Sequence, residues 1–410
     1  MSKSIYFSGQ PLFAYLLQYI NRDKIIQIAR EGDYDRYTKK LNGYTHLITL
    51  LFAVLKGYNS LREIIMGMIG EVNKVEHLGI KYVARRSTLA EANNRRSPDF
   101  FEEIYFYLLR RLQSFLPDSR SGHDLIKGLY IIDSTTIPLF GDILKGVGRT
   151  PNSGRRKGGV KVHTVIRAEE GVPRLVNITA ATTHDAKLMS LLNDLPKGSI
   201  IAMDRGYNNY SFFREANKRE ITYVTKAKSN MRYRTLSVQT VIDEESPQKQ
   251  CYEVRDILLV DKDKNEVKVR MISYQEPNKP NKVVLLTNNF ESSPAFIALI
   301  YLRRWQIESL YKQLKQNFQL RYFFGESENA IRTQIWVTLI ANLLLMVVKA
   351  RTTRKWSFSN LVSVVRNSLM YYIDLYYFLA DPEKALNEYN RARAKSPPKW
   401  TLFGREGLDF

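Results

Sequence analysis

The stretch GLYIIDSTTIPL at residues 128–139 reads as a buried β-strand with a carboxylate, Asp133, in its middle. A second buried strand, GSIIAMD at residues 198–204, ends in Asp204. A carboxylate in or at the end of a buried strand costs free energy unless it is paired or binds a cation. For either aspartate alone, capping of a strand end or turn is an equally good explanation.

Working outward from residues 128–139, apolar runs and turn signals predict strand, strand, strand, helix, strand, helix and strand. The later elements are expected at residues 158–168, 173–182, 184–195, 198–204, 209–220 and 221–227. The first strand of such a three-strand meander usually pairs with the strand that follows the next helix. We therefore expect Asp133 and Asp204 to lie side by side.

Two adjacent carboxylates repel each other, so both stay ionised only with a divalent cation between them. Glu308, on a later helix, would supply a third oxygen ligand. Oxygen ligands without a thiolate favour Mg²⁺ or Mn²⁺. Two such ions clamp the attacking and leaving oxygens of a phosphodiester during in-line displacement.

The segment YLRRWQIESLYKQLK at residues 301–315 carries Glu308 within a polar stripe. On a helix at about 100° per residue, Tyr301, Arg304, Glu308 and Lys315 fall within roughly 60° of one another. The ordinary explanation is a solvated face with an ion pair, because Arg304 and Glu308 are four residues apart.

Composition points to a polyanionic partner. The 410 residues carry a formal net charge of +21, with 62 Lys and Arg against 41 Asp and Glu. Such a positive charge predicts that the binding partner is nucleic acid or an anionic membrane surface. The most apolar segment, residues 335–348, is short for a membrane span and typical of a buried helix, so nucleic acid is favoured. Cys251 is the single cysteine, which excludes internal disulfides and cysteine-based zinc clusters.

The first 120 residues read as helical. Thr88 and Glu91 form a capping box that predicts the start of a short helix, and Pro98 closes it. Four arginines accompany this helix, at positions 85, 86, 95 and 96. It is either a DNA-contacting helix or a basic surface helix, and the sequence leaves both open.

Three β-rich stretches lie between residues 228 and 290, namely CYEVRDILLV, EVKVRMISYQ and NKVVLLTN. Ser293 then predicts a helix N-cap, with Pro294 at the first helical position. The tail is helical and aromatic-rich, then basic. Its apolar run at residues 367–386 is either a surface for a second subunit or a segment that packs on the protein's own core.

The order of strands and helices, with two aspartates and a helical glutamate, resembles the RNase H-like catalytic domain of DDE transposases. The four residues of the polar stripe are separated by two, three and six residues, which matches the Tyr-Arg-Glu-Lys motif of the insertion-sequence-four family. The segments IIDSTTI, KGGVKVH, THDAKL and DRGY also resemble strand motifs of that family. The resemblance covers roughly residues 1–350.

This resemblance implies an α/β fold: an RNase H-like catalytic core interrupted by a β-rich insertion, with a helical N-terminal domain and a helical C-terminal tail. The implied boundaries are 1–120 for the DNA-binding domain, 121–227 and 291–350 for the two parts of the core, 228–290 for the insertion and 351–410 for the tail.

The resemblance also assigns roles to residues. It implies catalytic metal ligands at Asp133, Asp204 and Glu308, which would hold Mg²⁺ or Mn²⁺ as two ions. It implies phosphate contacts at Tyr301, Arg304 and Lys315. Arg205 and Lys161 are further candidates for DNA contacts. The implied partners are transposon-end and target double-stranded DNA, bound by a homodimer on paired ends, with no membrane, in the cytoplasm of a bacterium and at its nucleoid. Lys157 is a weaker candidate for a DNA contact.

One departure concerns base stacking. In the best-understood relatives a tryptophan of the insertion stacks on a flipped base during hairpin formation, and here tryptophan occurs only at positions 305, 336, 356 and 400. Tyr252 or Tyr274 would have to replace it, since any flat ring stacks. His163 and His184 are read as structural rather than as catalytic bases. Alternative functions are another RNase H-like nuclease, an inactive DNA-binding derivative, or a basic RNA-binding protein without chemistry.

Overall fold

The structure is a computed structural model that describes residues 6–116, 126, 128–138, 159–180, 195–244, 250–260, 265–276, 282–318 and 320–395. Lys157, His184 and nearly all of the helix expected at 184–195 lie outside these residues.

The N-terminal region is helical, as expected. Its α-helices are α1 Leu12–Leu17, α2 Arg22–Glu31, α3 Gly43–Lys56, α4 Leu61–Gly70, α5 Arg86–Arg95 and α6 Asp99–Leu112. Short 3₁₀ helices follow α4 and α6, at Val72–Leu78 and Gln113–Phe115. Helix α3 is apolar on all sides and buried from Gly43 to Leu55, which makes it the centre of this bundle.

Helix α5 differs from the expectation in two respects. It begins at Arg86, and its N-cap Arg85 has no side-chain capping bond, so the Thr88 and Glu91 pair lies inside the helix. Arg96 is only 6% exposed, so it cannot contact DNA from the surface. The expectation that it accompanies the other three arginines on a DNA-contacting surface is wrong.

Among the residues that the structure describes, nine strands form one mixed sheet. They are β1 Leu129–Pro138, β2 Gly159–Arg167, β3 Pro173–Ala180, β4 Ile200–Met203, β5 Thr222–Lys226, β6 Arg234–Asp243, β7 Gln250–Val260, β8 Glu266–Gln275 and β9 Lys282–Thr287. Their order in the sheet is β3-β2-β1-β4-β5-β9-β8-β7-β6. The first three strands are antiparallel, whereas β1, β4 and β5 are parallel. Helix α7, Tyr210–Lys218, connects β4 to β5.

The expected pairing of the two aspartate strands is confirmed. Strand β1 pairs in parallel with β4, and Ile132 lies opposite Met203. Asp133 and Asp204 each follow these paired residues by one position. The two carboxylates therefore leave neighbouring strands at the same level of the sheet.

The β-rich segment extends the same sheet. Strand β9 pairs antiparallel with β5, with Val224 opposite Thr287, and β8, β7 and β6 follow outward. The segment has four strands among its described residues, one more than the sequence predicted. The additional strand is β6, an edge strand whose residues are almost all exposed, so it lacks the apolar run that identifies a buried strand.

The helices after the sheet are α8 Pro294–Arg303, α9 Trp305–Asn317, α10 Glu328–Arg351, α11 Phe358–Ser368, α12 Leu375–Ala380 and α13 Glu383–Lys395. The predicted cap is confirmed, since the Ser293 side chain accepts a hydrogen bond from the Phe296 N–H and Pro294 begins α8. The single helix expected through Arg304 is two helices, because Arg304 joins α8 to α9 in a tight turn whose N–H bonds to the Tyr301 carbonyl at 3.1 Å.

Helix α10 contains the most apolar segment of the chain. By length and composition it is long enough to cross a membrane, but 89% of its most apolar window is buried inside the protein. It packs against α3, α5 and α6 of the N-terminal bundle. This agrees with its expectation as a buried helix, and it ties the bundle to the sheet-bearing part of the chain.

The apolar run at residues 367–386 packs on the protein's own N-terminus. The N–H groups of Leu12 and Phe13 donate to the carbonyls of Tyr371 and Leu369 at 2.8 Å. Leu375 and Leu379 are fully buried, although Tyr371 remains 59% exposed. Of the two expectations for this run, the structure therefore supports packing on the core.

Candidate active site at the ends of β1 and β4

Asp133 lies on β1 with its side chain 17% exposed. Its Oδ1 accepts a hydrogen bond from the Ser134 N–H at 2.8 Å. Burial raises the pKa of this carboxyl to about 6, and the negative charges of Asp204 and Glu308 add to the rise, while Ser134 and Arg304 oppose it. The three carboxylates are thus close enough to influence one another.

Asp204 directly follows β4 and caps the 3₁₀ turn Arg205–Tyr207, with its Oδ2 accepting from the Gly206 N–H at 3.4 Å. Tyr207 anchors this turn because it is only 4% exposed. Arg205 is exposed beside the aspartate and is available to a ligand at the surface.

Glu308 lies in the first turn of α9 with its side chain 37% exposed. Its Oε1 pairs with Arg304 Nη1 at 2.7 Å, and the same Nη1 lies 4.0 Å from Asp133 Oδ2. The ion pair that helical spacing made available is therefore formed. The Arg304 guanidinium, 9% exposed, lies between the carboxylates of β1 and α9 and balances their charge.

Tyr301 is 9% exposed, and burial raises the pKa of its hydroxyl. The Arg304 guanidinium carbon lies 5.5 Å from the centre of its ring. In this structure Tyr301 supports Arg304 from the core side rather than presenting its hydroxyl at an open surface.

Helix α9 is fastened to β1 by hydrogen bonds at Asp133 and at the residues that follow it. The Tyr311 hydroxyl donates to the Asp133 carbonyl at 2.8 Å. Lys315 Nζ donates to Thr135 Oγ1 at 2.6 Å and to the Thr136 carbonyl at 3.2 Å. Tyr311 was not identified from the sequence, although its position three residues after Glu308 places it on a neighbouring part of the same helix.

An open cleft of about 470 Å³ lies beside these residues. Its walls include Asp133, Glu308, Lys312 and Lys315. Lys312 is exposed and was also missed, although it lies one helical turn beyond Glu308. Within the described part of the chain, no three His, Cys, Asp or Glu side chains approach closely enough to form a metal site, and Arg304 fills part of the space between two of the carboxylates.

Strand β2 supplies the other residues that the sequence indicated. Lys161 is half-buried opposite Thr136 of β1. His163 is 1% exposed, and its Nε2 forms a 3.0 Å hydrogen bond with Thr179 Oγ1. This burial agrees with a structural role for His163.

The tyrosines expected to stack on a base are buried. Tyr252 and Tyr274 are 6% and 7% exposed, and their ring centres lie 5.4 Å apart. Neither ring is open to a nucleotide in this structure. Trp305 follows Arg304 directly and is 55% exposed, so it presents a flat surface next to the acidic residues.

Comparison with protein families gives two matches. A family model described as a transposase DDE domain matches residues 125–344, more than half of the chain. This range contains Asp133, Asp204 and Glu308. A second model, described as a domain of unknown function (DUF4372), matches residues 8–81.

The names of two similar proteins agree with the first match. A protein of Sinorhizobium fredii named as transposase y4zB is 30% identical over 268 residues, which cover 65% of this chain and 72% of that protein. A protein of Synechocystis named as a transposase for insertion sequence element IS4SA is 26% identical over 269 residues, covering 64% of this chain and 71% of that protein. A solved structure described as a piggyBac transposase synaptic complex with hairpin DNA has a TM-score of 0.46 and 12% identity, covering 97% of this chain and 87% of that one.

Proposed function

The chain belongs to the DDE transposase family and is a transposase of the insertion-sequence type, and we propose that it cuts transposon ends and joins them to target DNA at the acidic cleft. The observation that carries this proposal is that Asp133 and Asp204 directly follow paired residues of the parallel strands β1 and β4, while Glu308 of α9 lines the same cleft as Asp133. The β3-β2-β1-β4-β5 part of the sheet, with its parallel centre, supports an RNase H-like core.

The chemistry of this donor set fits a divalent cation, whereas its three carboxylates lie too far apart in this structure to form a closed metal site. All three side chains offer oxygen, which hard cations prefer. Burial, together with the negative charges of Asp204 and Glu308, raises the pKa of Asp133, and a bound cation would oppose that rise. Asp133, Asp204 and Glu308 would hold Mg²⁺ or Mn²⁺, as two ions. Such ions polarise a phosphoryl oxygen and lower the pKa of water.

The surrounding residues position DNA. Lys312 and Lys315 line the cleft and are exposed, so they offer point contacts to phosphate oxygens. Arg304 holds Glu308 in its rotamer through the 2.7 Å ion pair. Lys161 lies on β2 and Arg205 lies in the turn that follows β4, so both add positive charge beside the cleft. DNA is the substrate that these cations and the net charge of +21 favour.

Three isosteric variants test the proposal: Asp133→Asn, Asp204→Asn and Glu308→Gln. Each removes one negative oxygen ligand with little change in shape. We expect each to lower Mg²⁺-dependent nicking of transposon-end duplex by roughly 1,000-fold, since several kcal/mol of charge stabilisation is lost. Binding of the duplex in a gel-shift assay should be unchanged or slightly tighter.

Glu291→Gln is the matched control, because it removes an exposed carboxylate outside the cleft. It should nick at the wild-type rate. A triad variant that nicks normally would remove that residue from the site. A wild-type protein that binds ends without nicking them would instead be an inactive DNA-binding derivative, and preference for RNA would favour the RNA-binding alternative.

A further inference from the structure

A second concave surface lies far from β1 in sequence, in the N-terminal bundle. It is an open groove of about 660 Å³ between the segment 32–41, which follows α2, and helix α5. Thr88, Ala92 and Arg95 line it from α5 at helical spacing. We call this surface the N-terminal groove.

The groove combines cations with flat rings. Lys39 and Lys40 are exposed on its rim, and Tyr37 is 76% exposed. The Arg36 guanidinium carbon lies 4.9 Å from the Tyr37 ring centre, and Lys40 Nζ lies 5.4 Å from that of Tyr82. Cations that alternate with aromatic rings are the composition of surfaces that bind nucleic acid strands.

Its acidic residues are already balanced. Asp33 Oδ2 lies 3.7 Å from Arg36 Nη1, and Glu91 Oε1 lies 2.8 Å from Arg95 Nη1. Lys39 and Lys40 therefore give the groove an excess of positive charge. A polyanion is the complementary ligand.

The wall that carries the lysines is held rigidly from behind. Arg96 donates to the carbonyls of Tyr34 and Leu41, at 3.3 and 3.1 Å, and to Asp35 Oδ1 at 2.7 Å. Tyr37 has a φ of +60°, a conformation that costs a non-glycine residue of order 1–3 kcal/mol and persists only where the surroundings enforce it. Such strain is concentrated at ligand-binding segments.

The other wall is tied to the catalytic part of the chain. His46 Nε2 pairs with Asn93 Oδ1 of α5 at 2.7 Å, and Asn93 Nδ2 donates to the Phe324 carbonyl at 3.3 Å. Phe324 lies in the connection between α9, which carries Glu308, and α10. A ligand in the groove is thereby held in a fixed relation to the acidic cleft.

We propose that the N-terminal groove binds a strand of the transposon-end DNA, with Lys39 and Lys40 on its phosphates and the Tyr37 ring against a base or sugar. Arg96 is a positioning residue that fixes the lysine-bearing wall. The proposal rests on the proposed function, because it names where the same protein grips its DNA.

The first test removes the two lysines. Lys39→Ala combined with Lys40→Ala is compared with Lys349→Ala combined with Lys355→Ala, which removes the same charge from exposed positions at the end of α10 and beyond. Fluorescence anisotropy in EDTA measures binding of duplex taken from the DNA that flanks the coding region. The groove variant should reduce the slope of log affinity against log salt by roughly 2, since each phosphate that a lysine no longer neutralises lowers the slope by about 0.9.

The second test concerns the ring. Tyr37→Ala should weaken binding by roughly 5-fold or more, the usual effect of removing one stacked ring, while Tyr37→Phe should bind as wild type because it keeps the flat ring. Tyr371→Ala, at another exposed tyrosine, is the control. The proposal would be overturned if the groove variants lost no more affinity than their controls. It would also be overturned if both the double lysine variant and Tyr37→Ala bound as tightly as the wild type.

The assay separates this proposal from the catalytic one. Binding in EDTA needs no chemistry, so a protein that binds through the groove and never nicks would contradict only the proposed activity. A protein whose groove variants bind and nick as wild type would contradict only the groove. A single strand of the same sequence is included, since tighter binding of single strand than of duplex would assign Tyr37 to an unpaired base.

Discussion

At the scale of single residues, Arg304 governs the charge of the acidic cleft. Its guanidinium is nearly buried, reaches Glu308 at 2.7 Å and approaches Asp133 at 4.0 Å. A buried cation without its carboxylates would be costly, as would the carboxylates without the cation. The three residues therefore maintain one another in an ordered arrangement before DNA arrives.

His46 leads to a prediction about stability. Burial and the neighbouring Arg96 charge lower its pKa from 6.5 to about 3. Its Nδ1 accepts from Arg96 Nη1 at 2.6 Å, so Nε2 carries the proton and donates to Asn93. The unfolded chain binds a proton below pH 6.5 and the folded chain does not, so the stability contributed by neutral His46 is lost as pH falls from about 6.5 towards 3.

We expect the unfolding free energy of the wild type to fall by about 2 kcal/mol from pH 7 to pH 5 because of this one histidine. Urea unfolding at the two pH values measures it. His46→Gln should be less stable at pH 7 but should lose about 2 kcal/mol less on acidification. His77→Gln, at an exposed position, should keep the wild-type pH dependence. Equal dependence in both variants would contradict the prediction.

Short-range spacing predicted some residue contacts and not others. The Arg304–Glu308 pair follows from a separation of four on a helix. The burial of Arg96 could not be predicted from spacing. Its partners Asp35 and His46 lie 61 and 50 residues away, and only the tertiary fold brings them together.

At the scale of elements, the joint between α9 and β1 sets the site. Tyr311 bonds to the Asp133 carbonyl and Lys315 to the Thr136 carbonyl, so the helix that carries Glu308 is tied to the strand that carries Asp133. A catalytic constellation needs such support, since small displacements cost rate.

Tyr311→Phe removes one hydroxyl from this joint. Losing a hydrogen bond worth about 1 kcal/mol should slow single-turnover nicking by roughly 5- to 10-fold if it loosens Asp133. Affinity for end DNA should not change, since the hydroxyl is turned towards β1 rather than towards the surface. Tyr371→Phe serves as the control. Unchanged nicking, or an equal loss of binding, would show that Tyr311 acts only in folding.

Periodicity predicted buried elements better than exposed or broken ones. The aspartate strands were identified by apolar runs, and their pairing by strand order. Strand β6 was missed because both of its faces are exposed. The turn at Arg304 was missed because residues 301–315 contain no glycine or proline to mark it.

At the scale of the whole molecule, two features were outside the reach of local sequence. The β-rich segment continues the core sheet through the β5–β9 pairing, which brings Val224 opposite Thr287 across a long stretch of intervening chain. The apolar run at residues 367–386 closes onto the N-terminus, so it is largely used within one chain. Three of its larger side chains, Tyr371, Tyr377 and Leu386, nevertheless remain exposed.

The oligomeric state should depend on DNA. Transposition cuts two ends and joins them to one target, so two active sites must be held together. A net charge of +21 opposes self-association of the free protein. Two DNA ends neutralise that charge and favour a dimer.

We expect a monomer without DNA and a dimer on paired ends by light scattering, at one salt concentration. Asp133→Asn is the informative control: it should dimerise on ends as the wild type does, because assembly needs binding and not cleavage. A stable dimer without DNA would contradict the charge argument, and a complex with one protomer per pair of ends would contradict the shared assembly of two active sites.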